Sequence, residues 1–487
     1  MRLADLVGEA MRLSGDGTLE ITGLTADSRA VRPGVLFAAL PGGTVDGRAF
    51  IAEAVEHGAA AVLVAEGAVV ALPARVALVT ATRPRHAFAR MAGRFFGRQP
   101  ATVVAVTGTN GKTSTAVFTE QLWSALGVQA ASLGTLGLDG PVLCRPGRLT
   151  TPDPVRLHEI LAEAADAGVE ALCMEASSHG LDQSRLDGVH VAAAAFTNLS
   201  RDHLDYHGTE EAYAEAKRRL FTDVLEPGGT AVLNADDPSF AVLMRTTERA
   251  GRRVLDYGAA ATDLCLEACD ALPEGQRLRL SVLGHRHTVV LPLIGAFQAA
   301  NALAALGLVI ATGADPAKAT AALAGLRGVP GRMQMVGRVA GASVIVDYAH
   351  TPDALRVALT ALRPHVGGRL IVVFGCGGDR DRGKRPQMGA IAAALADRVI
   401  VTDDNPRTET PAAIRAEILA GAPEAEAIGD RRTAIGLAIA ALEAGDVLLL
   451  AGKGHETGQI VGAATLPFDD REEARKALQA RGGEIVP

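Results

Sequence analysis

Aromatic residues are scarce in this chain, at 3% of 487 positions, with one tryptophan and four tyrosines. So few rings leave little on which bases could stack, and no block of lysine and arginine follows a phosphate backbone. The net charge of −7 is mild for this length, so nucleic acid is not expected as a partner. Cysteine is sparse as well. Cys144, Cys173, Cys265, Cys269 and Cys376 form no paired metal-ligand spacing, and Cys265 with Cys269 reads as two side chains in a core or on a strand. Reduced thiols fit a cytoplasmic protein. Long apolar runs are missing too. The most apolar region, 59–81, is broken by Glu66, Pro73 and Arg75 before it could span a bilayer. Asp5 and Glu9 interrupt the first fifteen residues, which predicts an amphipathic helix there and no signal-peptide core; membrane insertion is not expected.

What is present is ample core material. Hydrophobic residues make up 48% of the chain, and at roughly 150 residues per domain the length predicts about three domains. Composition and rhythm place the divisions at 1–99, 100–328 and 329–487. The first segment mixes short strands and helices. The second alternates apolar runs with helical spacing, the signature of a parallel sheet of the mononucleotide-binding kind, and the third repeats that rhythm as a Rossmann-like, doubly wound unit. The expected class is α/β throughout.

The most specific stretch is TVVAVTGTNGKTST, residues 102–115. Val103 to Val106 read as a buried strand, and helical spacing resumes after Lys112, so Thr107, Gly108, Thr109, Asn110 and Gly111 form a strand-to-helix corner. Glycines let such a corner turn sharply and aim N–H groups inward. Lys112 can reach the outer phosphates of a nucleotide, while Thr113, beside Ser114, offers a hydroxyl to Mg²⁺. The strict P-loop asks for a glycine where Val106 stands, so the match is a relaxed one, and a Gly-rich turn with a surface lysine is the plainer alternative.

Polar clusters follow the other expected strands of the second segment. Strands over 169–174 and 189–196 end in MEASSHGLDQSR and FTNLSRDHLDYHG. In a parallel sheet the ligand crevice lies outside the carboxyl ends of the strands, which would gather Glu175, Ser177, His179, Asn198, Asp202 and His203 near Lys112 and Thr113. Glu175 and His203 are the best-placed ligands for a second divalent ion. Lys217, on a helix expected over 209–221, reads by spacing alone as a surface lysine beside Arg218 and Arg219. Further upstream, Asp27, Ser28 and Arg29 form a polar cluster before a Pro33-Gly34 turn, equally readable as a solvated loop with a capping aspartate.

In the third segment, strands over 343–346, 370–374, 398–402 and 447–450 end in DYAHTPD, GCGGDRDRGKR, DDNPR and AGKGHE. GCGG falls short of the dinucleotide spacing GxGxxG. What these loops offer is a mixture of signs: Arg380 and Arg407 can each hold a carboxylate, while Asp404 and Glu456 can hold an ammonium group, as a zwitterionic amino acid requires. No Ser-His-Asp or Cys-His arrangement is evident.

Taken together, TGTNGKT, MEASSHGL, FTNLSRDHLDYHG, AKRRLF, GVPGRMQ, DYAHTPD and GCGGDRDRGKRP, in that order along essentially the whole chain, resemble the ATP-dependent Mur ligases that build the peptide stem of bacterial peptidoglycan. The resemblance implies an N-terminal domain for the UDP-sugar, a central ATPase domain and a C-terminal domain that brings the amino acid. It implies ATP as co-substrate, with Asn301, Arg332, Asp347 and His350 completing its site, and Mg²⁺ held by Thr113, Glu175, His203 and a carbamylated Lys217. It places Ser28 on the UDP moiety and Thr150, Thr151, Ser177, Gln183 and Arg185 along the muramoyl-dipeptide. Asp404, Asn405, Pro406 and Arg407 look like the motif that selects meso-diaminopimelate, with Arg380, Gly452 and Glu456 around it. The implied chemistry is an acyl phosphate on UDP-N-acetylmuramoyl-dipeptide, attacked by the diaminopimelate amine, in a cytoplasmic monomer. A lysine-adding relative, folylpolyglutamate synthetase, or a non-catalytic nucleotide-gated binding module are the alternatives; the Asp27-Ser28-Arg29 segment argues against the folate enzyme.

Overall fold

Apolar strands separated by helices build three main sheets, which a computed structural model describes for residues 1–42, 46–147, 149–272 and 275–486. The chain folds as two compact units, one comprising Met1–Cys265, Val282–Gly284 and Asn301–Ala322, the other Leu266–Ser281, His285–Ala300 and Leu323–Pro487.

The first unit holds two sheets. The smaller has five strands in the order Met11–Ser14, Ala77–Ala81, Ala61–Ala65, Val35–Ala38 and Gly23–Thr25, parallel except for the first pair. Here one expectation fails. Only Leu3–Leu6 is helical at the N-terminus, and Met11–Ser14 is an edge strand paired antiparallel with Ala77–Ala81. The apolar spacing changes period within the stretch: Leu3 and Leu6 pack at helical spacing, while Met11 and Leu13 alternate against the sheet. Gly8 sits at the break, where a Cβ would lie 2.4 Å from the Arg94 guanidinium.

The larger sheet runs, within this unit, Arg253–Gly258, Leu225–Asn234, Val191–Phe196, Thr102–Thr107, Ala171–Glu175, Ala130–Gly134 and Gly137–Asp139, with only the last pair antiparallel. Thr102–Thr107 is flanked by Val191–Phe196 on one side and Ala171–Glu175 on the other. In register, Val106 faces Glu175 and Thr107 faces Phe196, so three strand ends stop together. The chain order reverses there, which is where an open parallel sheet forms its crevice. Buried apolar residues such as Val103, Leu172, Met174, Ala194 and Phe221 fill one face.

The second unit carries a seven-stranded sheet ordered Glu426–Ala427, Arg398–Val401, Leu370–Phe374, Val447–Ala451, Ala342–Asp347, Gln334–Val339 and Glu484–Ile485. The first five run parallel, and Gln334–Val339 is antiparallel to both of its neighbours. Apolar clusters cover both faces, as a doubly wound sheet requires. Its strands at Asp347, Phe374, Val401 and Ala451 end on one side, so their loops share an edge. Among the described residues no helix is long and apolar enough to cross a membrane.

Candidate active site

The corner after Thr102–Thr107 is held open by glycine. Gly108 and Gly111 have φ of 148° and 86°; a Cβ on the first would lie 1.9 Å from Thr197 Oγ1, and on the second 2.3 Å from Asn301 Oδ1. The helix Lys112–Ala125 begins immediately afterwards. The neighbouring strand end clamps the loop. Asn198 Oδ1 accepts from Asn110 N at 3.0 Å, its Nδ2 donates to Asn110 O at 3.1 Å, and Thr197 Oγ1 donates to the same carbonyl at 2.6 Å. Two amines meet on one acceptor: Lys112 Nζ donates to Gly108 O at 2.9 Å and Lys217 Nζ donates to it at 2.7 Å.

Lys217 is therefore no surface residue. It is 2% exposed on the helix Glu210–Arg219 and lies 4.4 Å from the centre of the Tyr213 ring, one helical turn earlier. Burial, reinforced by the charge on Lys112, pulls its pKa well below the ordinary lysine value, which favours the neutral amine. Spacing missed this because Arg218 and Arg219 flank it; the usable signal was Tyr213 at i−4. Burial pushes the Tyr213 phenol up to about 12, and its hydroxyl lies 3.1 Å from Thr109 Oγ1.

Glu175 closes the other side. Its buried carboxylate accepts from Thr135 N at 2.7 Å and from Thr135 Oγ1 at 3.3 Å, and Thr135 Oγ1 lies 3.1 Å from Thr150 Oγ1. Thr151 Oγ1 donates to Glu175 O at 2.8 Å and accepts from Ser177 N at 3.0 Å. Arg185 donates to Thr151 O at 2.6 Å, and Gln183 Oε1 accepts from Arg185 at 2.8 Å. The structure thus joins Thr150, Thr151, Ser177, Gln183 and Arg185 into one network with Glu175, and adds Thr135. Beside Ser184, a cavity of about 260 Å³ is lined by Arg83, Arg85, His86 and Arg219 with Asp182.

His203 has φ of 51°, is about half exposed, and packs its ring 4.9 Å from His179 and 6.3 Å from Tyr213. No hydrogen bond joins it to Glu175. Among the described residues no group of three or more His, Cys, Asp or Glu side chains is placed to hold a metal ion. Ser28 lies on the turn Ser28–Ala30 of the smaller sheet, where its carbonyl meets His57 Nδ1 at 3.2 Å; Asp27 caps that turn by accepting from Arg29 N. No hydrogen bond links Ser28 to the Glu175 network. Asn301, next to Gly111, belongs to this first unit.

In the second unit, Arg332 lies 4.6 Å above the Tyr348 ring, and Asp347 accepts from Met333 N and Ala349 N, both at 2.8 Å. Burial raises the Asp347 carboxyl and lowers His350, whose Nδ1 lies 2.8 Å from Tyr348 O. Around the loop edge, Arg407 has φ of 52° and donates to Gly378 O at 2.8 Å. A Cβ on Gly377 would lie 2.8 Å from the Arg407 guanidinium and 3.8 Å from Arg380 Cγ, so the two arginines flank one glycine. Arg385, fully buried, pairs with Glu409 and Glu417 and donates to Gly377 O at 3.1 Å, tying that loop down. Asn405 Nδ2 donates to Glu456 Oε2 at 2.9 Å, and Gly452 packs on the Asp404 carboxylate. Pro406 lies against Gly378, where a Cβ would sit 1.9 Å from the Pro406 carbonyl. Lys453, wholly buried between these groups, had no signal in the sequence beyond its two flanking glycines.

Three family models match the chain: "Mur ligase family, catalytic domain" over 20–96, "Mur ligase middle domain" over 106–309 and "Mur ligase, glutamate ligase domain" over 331–454. A UDP-N-acetylmuramoyl-L-alanyl-D-glutamate--2,6-diaminopimelate ligase from Mesorhizobium japonicum is 53% identical over 485 residues, covering 99% of this chain and all of that one. A solved structure of a ligase of the same name has a TM-score of 0.75 at 35% identity and covers 99% of both chains. MurF ligase from Thermotoga maritima, solved in complex with ADP, shares the fold at a TM-score of 0.61, 21% identity, and coverage of 95% of this chain and 98% of that one. With its three segments matched in order and its full length aligned, the chain belongs to the Mur ligase family.

Proposed function

We propose that this protein is an ATP-dependent, ADP-forming ligase that joins meso-diaminopimelate to UDP-N-acetylmuramoyl-L-alanyl-D-glutamate in peptidoglycan synthesis. The observation that carries the reading is the full-length likeness to ligases of that name, at 53% identity for one of them. Supporting it is a loop edge that places Arg407 and Arg380 about one glycine, within the same sheet edge as Asp404 and Glu456. Diaminopimelate carries a second carboxylate where lysine has none, and Arg407 supplies its counter-charge. The domain assignment follows the same likeness: 1–99 for the UDP-sugar, 100–328 for ATP, 329–487 for the amino acid. The enzyme acts as a monomer in the cytoplasm.

Chemistry begins at the corner after Thr107. Residues 107–114 cradle the ATP phosphates, and Lys112 exchanges its bonds to the Gly108 and Thr109 carbonyls for the γ-phosphate. Asn301, beside Gly111, belongs to the nucleotide site of the first unit; Arg332, Asp347 and His350 are assigned to ATP by the family likeness alone. Thr150, Thr151, Ser177, Gln183 and Arg185 hold the muramoyl-dipeptide, and Ser28 holds its uridine end. The γ-carboxylate of the D-Glu residue attacks the γ-phosphate, ADP leaves, and the diaminopimelate amine then displaces phosphate from the acyl phosphate. Positioning and electrostatics do this without a protein nucleophile.

Lys217 fits carbamylation because the buried amine is held toward its neutral form: the neutral Nζ attacks the carbon of CO₂, one proton leaves the nitrogen, and the neutral amine becomes an anionic oxygen donor. Together with the Thr113 hydroxyl and the Glu175 carboxylate it makes a hard donor set suited to Mg²⁺, with His203 as a borderline member. Mg²⁺ bound there would neutralise phosphate charge.

A coupled phosphate-release assay with the UDP-dipeptide and separate amino acids tests the proposal. Release proportional to diaminopimelate is expected, and Lys112→Ala should abolish it while UDP-dipeptide binding persists. Release with lysine instead, or release independent of any amino acid, would refute the assignment.

A further inference from the structure

Lys453 is wholly buried at the start of the loop after Val447–Ala451, and no step proposed above uses it. Its ammonium group donates to Asn405 Oδ1 at 3.0 Å and to Gly458 O at 2.7 Å, and lies 3.6 Å from Glu456 Oε2. The backbone N–H of Ile460 donates to the same Asn405 Oδ1 at 3.0 Å. Two donors on one oxygen decide which way the amide faces. Lysine has only donors to offer, so the carbonyl end of Asn405 must point at it and the NH₂ end must point away. That NH₂ end reaches Glu456 Oε2 at 2.9 Å. Both the Asn405 hydrogen bond and the Lys453 ion pair fall on Oε2 of the Glu456 carboxylate, and the side chain is about one-third exposed. Neither contact involves Oε1.

The chain Lys453, Asn405, Glu456 thus sets a carboxylate by way of an amide. Were Lys453 uncharged, the Ile460 N–H alone would hold the Asn405 oxygen, so the amide would be fixed less firmly, and Glu456 would lose its neighbouring positive charge. We propose that Lys453 is a positioning residue that, through Asn405, aims Glu456 at the ammonium group of the incoming amino acid and so sets affinity for it. The proposal rests on the diaminopimelate reading of this loop edge. It differs from a structural role in what it moves: the KM for one substrate of three.

The test uses full-length protein with Lys453→Met, matched in length and uncharged, and Lys453→Gln, which keeps an N–H donor for Gly458. Wild-type protein is assayed first by phosphate release; if it shows no diaminopimelate-dependent release, the functional reading fails independently of Lys453. If it does, the KM for diaminopimelate should rise about tenfold or more in Lys453→Met, as expected for losing a charge-assisted bond, with kcat and the KM for ATP and UDP-dipeptide changed less than about threefold. In a Glu456→Gln background the same substitution should add less than about threefold, because the carboxylate it orients is gone. An unchanged KM for diaminopimelate, an equal loss for all three substrates, or a full additional effect in the Glu456→Gln background overturns the proposal. Failure of both variants to fold overturns it too, assigning Lys453 to the fold.

Discussion

Asp470→Asn should destabilise the second unit by about 3 kcal/mol, the lower end of the cost of breaking a buried ion pair. Arg431 and Asp470 have no side-chain exposure. The guanidinium and carboxylate face each other in parallel, at 2.7 Å from Nε to Oδ1 and 2.6 Å from Nη2 to Oδ2. Arg431 also donates to Ala451 O at 2.9 Å, at the end of the strand that leads into Gly452 and Lys453. Asparagine keeps the shape of Asp470 but removes its charge and turns an NH₂ toward a guanidinium that has only donors. The remaining bond to Ala451 O offsets part of the loss, which is why the lower end applies. At about 2–4 °C per kcal/mol for a unit of 150–250 residues, the transition should fall by roughly 6–12 °C in calorimetry. Removing both charges with Arg431→Met and Asp470→Leu should recover most of that loss, since an apolar pair of similar volume needs no counter-ion. The reasoning is refuted if Asp470→Asn stays within about 1 kcal/mol of wild type, or if the double variant is no more stable than the single one.

Arg407→Ala should raise the KM for diaminopimelate by about tenfold or more while the KM for ATP stays within about threefold, measured by phosphate release; equal losses would count against a counter-charge role. Lys217 should take up ¹³C-labelled CO₂ as a carbamate visible by NMR, a signal absent in Lys217→Met; no such signal at saturating bicarbonate and active enzyme would remove Lys217 from the metal set. His158, 3% exposed and pulled down to about 4 by burial, gives the first unit an acid limb. The unfolded chain takes up its proton near pH 6.5 and the folded chain near 4, so stability falls as pH drops through that window, by about 3 kcal/mol in total. His158→Leu should flatten the fall between pH 6.5 and 4 in urea titrations; an unchanged slope would show that other groups set it.

Much of the fold was legible because buried parallel strands leave an unmistakable trace. The apolar runs at 103–106, 370–374 and 447–450 correspond to Thr102–Thr107, Leu370–Phe374 and Val447–Ala451. The N-terminal stretch departs from the expected helix because its apolar spacing switches period after Gly8, and pairing with Ala77–Ala81, more than sixty residues away, decides the outcome. A long-range partner leaves no local mark.

The sequence by itself determined the order of motifs, the glycine corner at 107–113 and the family, because these depend on local backbone demands and on residues kept in sequence order. Tertiary structure alone decided which side chains lose water and which partners they meet. Lys217 became a buried amine because its helix turns that face onto Gly108, while Arg218 and Arg219 beside it stay on other faces. Lys453 became the pivot of Asn405 and Glu456 because strand ends separated by about fifty residues stop at one sheet edge. Burial and register are properties of the assembled sheet, and the electrostatics of this site follow from them.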